Sequence, residues 1–176
     1  MNPANRVAFN TLVQYVQLFL QLLLGLITVR LVLDTLGPED YGIYDMIGGI
    51  IAMMSLISSS LSQTSMRFLS VSLGKSDKNQ TRETFKSCFF VHVIVAVGLF
   101  ILLEMLGFFL FNGDFNVSDE RLNTAHIVYH CMTFSLFLNI LSTPFIALIS
   151  ANEHFFYLSI VGLIVALFKL AIAFII

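Results

Sequence analysis

Five long apolar stretches, at about 12–33, 41–63, 88–111, 125–150 and 155–176, alternate with polar connections along the chain. Each is close to the roughly 20 residues that a helix needs to cross the hydrocarbon core of a bilayer. None alternates apolar and polar positions with period two, as barrel strands do, and helices pair every backbone N–H and C=O inside lipid. The pattern therefore predicts an all-α, polytopic membrane protein with five transmembrane helices.

Inside these stretches the polar residues are themselves periodic. Asn10, Gln14, Gln17, Gln21, Gly25 and Thr28 recur at intervals of three and four and fall on one stripe of the first helix. Tyr41, Asp45, Gly48, Ala52, Ser55, Ser59 and Ser62 make a second stripe, with Ile50, Met54, Ile57 and Leu61 opposite. Ser159, Gly162, Ala166, Lys169 and Ala173 make a third. Small residues let helices approach closely in lipid, so these stripes predict helix-packing faces.

Connections set the expected orientation. Arg6 precedes the first span, and the 64–87 connection carries Arg67, Lys75, Lys78, Arg82 and Lys86, which predicts a cytoplasmic amino terminus and a basic cytoplasmic connection. The 34–40 connection has Asp34, Glu39 and Asp40 without a basic residue, and 112–124 has Asp114, Asp119 and Glu120 against Arg121; both are expected outside. Leu36-Gly37 should end one helix, and Pro38 suits the first turn of the next, with Glu39 and Asp40 at its positive end. Helix two is expected to run to Leu73 and stop at Gly74. A cytoplasmic helix from about Asp77 should lead into span three, and Pro144 should kink span four.

Composition sharpens the membrane reading. Hydrophobic residues make up 57% and charged residues 11%, where soluble domains carry about a quarter charged. The first span has no small-residue cleavage site and is read as retained. Cys88 and Cys131 suggest no disulfide framework, and the basic connection is explained by topology, so no nucleic-acid partner is expected. Asn79 and Asn116 head glycosylation-type triplets that chance suffices to explain. The last run reaches Ile176 without a polar flank, which suggests a fragment of a longer chain.

Charges inside the spans are costly, about 3 kcal/mol each on insertion scales, and need a partner, water or a function. There are four: Arg30, Asp45, Glu104 and Lys169. Arg30, Asp45 and Glu104 lie roughly 5 to 10 Å from the outer helix ends and Lys169 about 20 Å from the inner end, so all are expected in the outer half. Arg30 also stands four residues before Asp34, within reach of pairing with it. Asp45 and Glu104 are candidate ion-coupling carboxylates, and Asp45 and Lys169 sit on small-residue faces suited to a water-filled cavity. His126 and His130 have the spacing of a metal pair but lack further ligands, so no metal is assigned. No nucleophile–base pairing or nucleotide loop points to an enzyme, and no cofactor is implied.

The run N-x-x-x-x-Y-x-Q in span one, "VRLVLDTLGPEDYGIYDMIGG", "RFLSVSLGKSD" and "TPFIALISANEHF" together resemble the amino-terminal part of polysaccharide (O-antigen type) flippases. These belong to the multidrug/oligosaccharidyl-lipid/polysaccharide exporter superfamily. The LG-x-x-x-YG-x-Y element is the most specific part. The resemblance implies most of one lobe of a two-lobed, alternating-access transporter in the bacterial cytoplasmic membrane. Its cargo would be a polyprenyl-pyrophosphate-linked oligosaccharide for surface polysaccharide, with polysaccharide polymerase and chain-length proteins as further partners. Arg30 matches the basic position of the span-one motif as a substrate-binding residue; Lys169 is a second candidate by periodicity alone. A cation-coupled multidrug exporter and a non-transporting scaffold for polysaccharide assembly are the alternatives.

Overall fold

The computed structural model describes residues 3–75, 77–112 and 118–175, and every regular element among them is helical. Asp114 and the first two residues of the Asn116 triplet lie outside the described residues. The elements are α1 (Pro3–Gly74), α2 (Lys78–Asn112), α3 (Asp119–Ala151) and α4 (Phe155–Ile175). All four are long and apolar enough to cross a membrane.

A continuous helix of 72 residues would be about 100 Å long, more than three hydrocarbon thicknesses. α1 is not continuous: Gly37 has φ 77° and ψ 169° and interrupts it. This backbone region is essentially closed to residues with a Cβ. Its extended ψ also suits the residue before a proline, and Pro38 follows. The expected helix end at Leu36-Gly37 is therefore present, as an extended glycine break and not a left-handed cap. A Cβ at Gly37 would meet no atom within 4 Å, so the constraint is backbone strain alone. Gly37→Val is expected to lower stability by about 1 to 3 kcal/mol, read from the unfolding midpoint in detergent; an unchanged midpoint would remove Gly37 as the cause of the break.

The chain forms two compact units, Met1–Tyr41 with Asn152–Ile176, and Gly42–Ala151. In the first, the early part of α1 lies alongside α4 with contacts that ascend together. Asn10 Nδ2 donates to the Glu153 carbonyl at 3.4 Å, and the Phe9 and Phe156 rings are 6.3 Å apart. Further along, Gln17 and Gln21 face Gly162, and Val32 and Leu36 share a small cavity with Ala173. The two helices are thus parallel.

The second unit contains residues 42–74 of α1 with α2 and α3. Ile47 packs with Phe111, Ala125 and Tyr129. Next along α1, Ile50, Ile51 and Met54 pack on Ala96, Leu99, Leu103, Leu136 and Ile140. Ser58 and Thr143 then share a buried hydrogen bond of 3.2 Å. These contacts ascend on α3 and descend on α2, so this part of α1 is parallel to α3 and antiparallel to α2. Such directions suit a chain that crosses a layer alternately.

The α1–α2 junction follows its sequence signals. α1 ends at Gly74, as expected. Asp77 then caps α2: its Oδ1 accepts the N–H of Asn79 at 2.9 Å and of Gln80 at 3.2 Å, satisfying two of the unpaired amides at a helix start. From there α2 runs unbroken into the apolar stretch for 35 residues, about 50 Å, so some 20 Å projects beyond a hydrocarbon core. α3 is likewise continuous through Pro144. The Ser142 and Thr143 hydroxyls donate to the Asn139 carbonyl one turn earlier, at 2.7 and 3.0 Å, next to the Ile140 carbonyl that Pro144 deprives of its amide partner.

One packing expectation is corrected. In the second unit the buried face of α1 is Ile47, Ser58, Ser65, Leu69 and Ser72. Ala52, Ser55 and Ser59, expected to pack, are exposed, as is Asp45 on the same stripe. Ser55 and Ser59 donate to carbonyls of their own helix, at 2.6 and 2.8 Å, and so need no neighbouring helix.

Candidate functional site

The two stripes of the first unit face each other. A Cβ placed on Gly162 would lie 2.5 Å from Gln17 Nε2 and 2.8 Å from Gln21 Nε2, so both amides rest over the bare backbone of α4. Beyond that contact the helices leave a cavity of about 370 Å³ lined by Gln21, Gly25, Thr28, Gly162, Ala166 and Lys169, with Leu24, Val29 and Val165. Gly25, Gly162 and Ala166 create the space because they offer little or no side chain. Polar capacity comes from the Gln21 amide, the Thr28 hydroxyl and the Lys169 ammonium. Thr28 donates to the Leu24 carbonyl at 2.8 Å, which leaves its oxygen lone pairs available.

Lys169 is exposed and has no hydrogen bond or ion pair with the described residues. It stands about 20 Å along α4 from Phe155. An unpaired ammonium at that depth in an apolar helix is costly unless water or an anion reaches it. The cavity supplies room for either.

Arg30 is absent from the cavity lining although its neighbours Thr28 and Val29 are present. Its Nε lies 3.9 Å from Asp34 Oδ2, with the side chains 85% and 70% exposed. Exposed pairs of this kind contribute little, so Arg30 is held only loosely. The outward pairing weighed from sequence spacing is the arrangement found.

Asp45 is exposed on the serine-bearing face of α1 and bonds to none of the described residues. Nearly three turns further along α1, Ser55 joins Ser135 and Asn139 of α3 in a second cavity of about 260 Å³ that Asp45 does not line. Glu104 is half-buried and paired: His130 Nδ1 is 3.0 Å from Oε2 and 3.2 Å from Oε1. A carboxylate only accepts, so Nδ1 carries the hydrogen whatever the state of the other nitrogen. The pair bridges α2 and α3.

His126 and His130 belong to an aromatic cluster in place of the metal pair their spacing raised. The His126 ring stacks on Phe111 at 3.9 Å, and the Tyr129 hydroxyl donates to the Leu103 carbonyl. Among the described residues no group of three or more His, Cys, Asp or Glu side chains could hold a metal ion.

Sequence reasoning passed over two residues. His130 as partner of Glu104 needed the antiparallel register of α2 and α3, which intervals within one helix do not contain. His92 is fully buried, with Nδ1 2.8 Å from the Cys88 carbonyl, so that nitrogen is the donor and Nε2 has no partner among the described residues. Its position one turn before Ala96 on an apolar face was the available signal.

No protein-family model, curated protein or solved structure matches the chain.

Proposed function

We propose that the chain is the amino-terminal part of a membrane flippase that moves polyprenyl-pyrophosphate-linked oligosaccharide across the bacterial cytoplasmic membrane for surface polysaccharide synthesis. The observation carrying this reading is Lys169: an unpartnered ammonium deep in an apolar helix, opening on a cavity with amide and hydroxyl groups. An anionic headgroup crossing a bilayer needs such a place, because its charge is otherwise costly in hydrocarbon. The motif resemblance adds the class of cargo.

In this reading α1 crosses the bilayer twice, reversing at Gly37-Pro38, so that five crossings contribute most of one lobe. Odd crossings would then run parallel to one another, as the early part of α1 and α4 do, and even crossings likewise, as the later part of α1 and α3 do. Lys169 receives the carrier phosphate. Arg30, at the motif position, is a second cation that can leave its loose pairing with Asp34. Asp45, exposed on a polar face, and Glu104, paired with His130, are the ion-coupling carboxylates.

The test is transfer itself. Liposomes containing the full-length protein and a polyprenyl-pyrophosphate-linked oligosaccharide are expected to equilibrate the glycan between leaflets, read by protection from an added glycosidase. Protein-containing liposomes that flip no faster than empty ones would sink the proposal.

A further inference from the structure

We propose that the start of α2 is a binding site for the headgroup phosphate of anionic phospholipid. Lys78, Arg82 and Lys86 follow one another at intervals of four and all three are exposed. The same stripe continues into the apolar stretch as Phe90, Ile94 and Val97, which are also exposed. The packing side of this part of α2 borders the cationic row: Phe85 and Phe89, three and seven residues after Arg82, set their rings edge-on against Phe145 at 5.3 and 5.8 Å. Beside that packing side, Arg82, Lys86, Phe90 and Val97 share an arc of about 80° and are all exposed, so one helix face passes from cationic to lipid-facing. That continuity selects a membrane lipid over a soluble anion or an acidic protein.

The heights agree. Measured from Cys88, where the apolar stretch begins, Lys86, Arg82 and Lys78 stand about 3, 9 and 15 Å outside the hydrocarbon. The headgroup layer is about 5 to 8 Å thick on each side, and these long side chains reach back toward it. Lys86 and Arg82 fall within that reach, with Lys78 at its limit. Lys86 already bonds Glu83 at 2.7 Å, and that bond holds the Glu83 carboxyl below its usual pKa. An exposed pair of this kind gives way readily to a phosphate. Arg82 and Lys78 bond to no described residue, and a guanidinium suits bidentate contact with phosphate oxygens. Each cation near an anionic surface is worth about fivefold in affinity.

The proposal rests on α2 crossing a bilayer and not on the transported cargo. The purified full chain is equilibrated with equal amounts of phosphatidylglycerol and phosphatidylcholine at constant ionic strength, and the retained lipids are counted by native mass spectrometry. The wild-type chain is expected to be enriched in phosphatidylglycerol. Arg82→Gln with Lys86→Gln should cut that enrichment at least about fivefold, with an unchanged unfolding midpoint, while Arg82→Lys with Lys86→Arg keeps most of it. Lys75→Gln, which removes one positive charge in the turn beyond both helix ends, should leave the enrichment within about twofold, less than the fivefold expected of a single cation at the headgroup layer. Equal retention of the two lipids by the wild-type chain, or as large a loss from Lys75→Gln, would overturn the proposal. Displacement of the lipid by inorganic phosphate would mark a free-anion site and overturn it too. Glycan transfer by the Arg82→Gln, Lys86→Gln protein separates this result from the flippase reading.

Discussion

Replacing Lys169 by Gln is expected to slow glycan transfer about 10- to 100-fold, the worth of one or two charge-assisted contacts to phosphate. Gln keeps most of the length and fills the same part of the cavity, so only the charge is removed. Insertion should be unaffected or improved, since a neutral residue is easier to place in lipid. Lys169→Arg should retain much of the activity, because a guanidinium also binds phosphate. Arg30→Gln should cost less than Lys169→Gln, since Arg30 stands outside the cavity and pairs with Asp34. Transfer by the Lys169→Gln protein at the wild-type rate, with both proteins inserted equally, would remove Lys169 from the mechanism.

The second large effect is structural. A Cβ on Gly107 would run into the Tyr129 ring, and Tyr129 is 1% exposed with its hydroxyl tied to the Leu103 carbonyl. The ring is wedged between Phe111 and the α2 backbone and has no free direction in which to swing. Gly107→Leu should destabilise the second unit by about 2 to 4 kcal/mol, combining overpacking with loss of an interhelical hydrogen bond. The check is the unfolding midpoint in detergent, alone and combined with Tyr129→Ala. Removing the ring should recover part of the loss. If Gly107→Leu is as destabilising without Tyr129 as with it, the close approach is not the cause.

Much of the first unit was legible because polar residues in an apolar helix stand out against their background. The Asn10-to-Thr28 stripe and the Ser159-to-Ala173 stripe each carry a period near 3.6, and their Gln21-to-Thr28 and Gly162-to-Lys169 parts prove to be the two walls of one cavity. Gly37-Pro38 was legible from backbone chemistry alone, although the glycine is extended and not left-handed. The Asp77 cap and the Gly74 stop follow the same local rules.

The second unit was harder to read. There the face of α1 that packs is Ile47 with Ser58, Ser65 and Leu69, while Ser55 and Ser59 are exposed. In lipid an isoleucine gains little by facing inward, so hydropathy does not separate a packing face from a lipid face. The small-residue rule chose a stripe displaced by about one residue. Glu104 was found as a charge in need of a partner, but His130 lies 26 residues away and became its partner only through the antiparallel pairing of α2 and α3.

The membrane path of α1 is the claim on which the rest depends. Single cysteines at Glu39 and Lys78, in a protein with Cys88 and Cys131 changed to Ser, can be probed in intact cells with a membrane-impermeant maleimide. Residue 39 is expected to react from outside and residue 78 only after the membrane is opened. Labelling of both from the same side would contradict two crossings by α1, and labelling in the reverse order would turn the whole arrangement over.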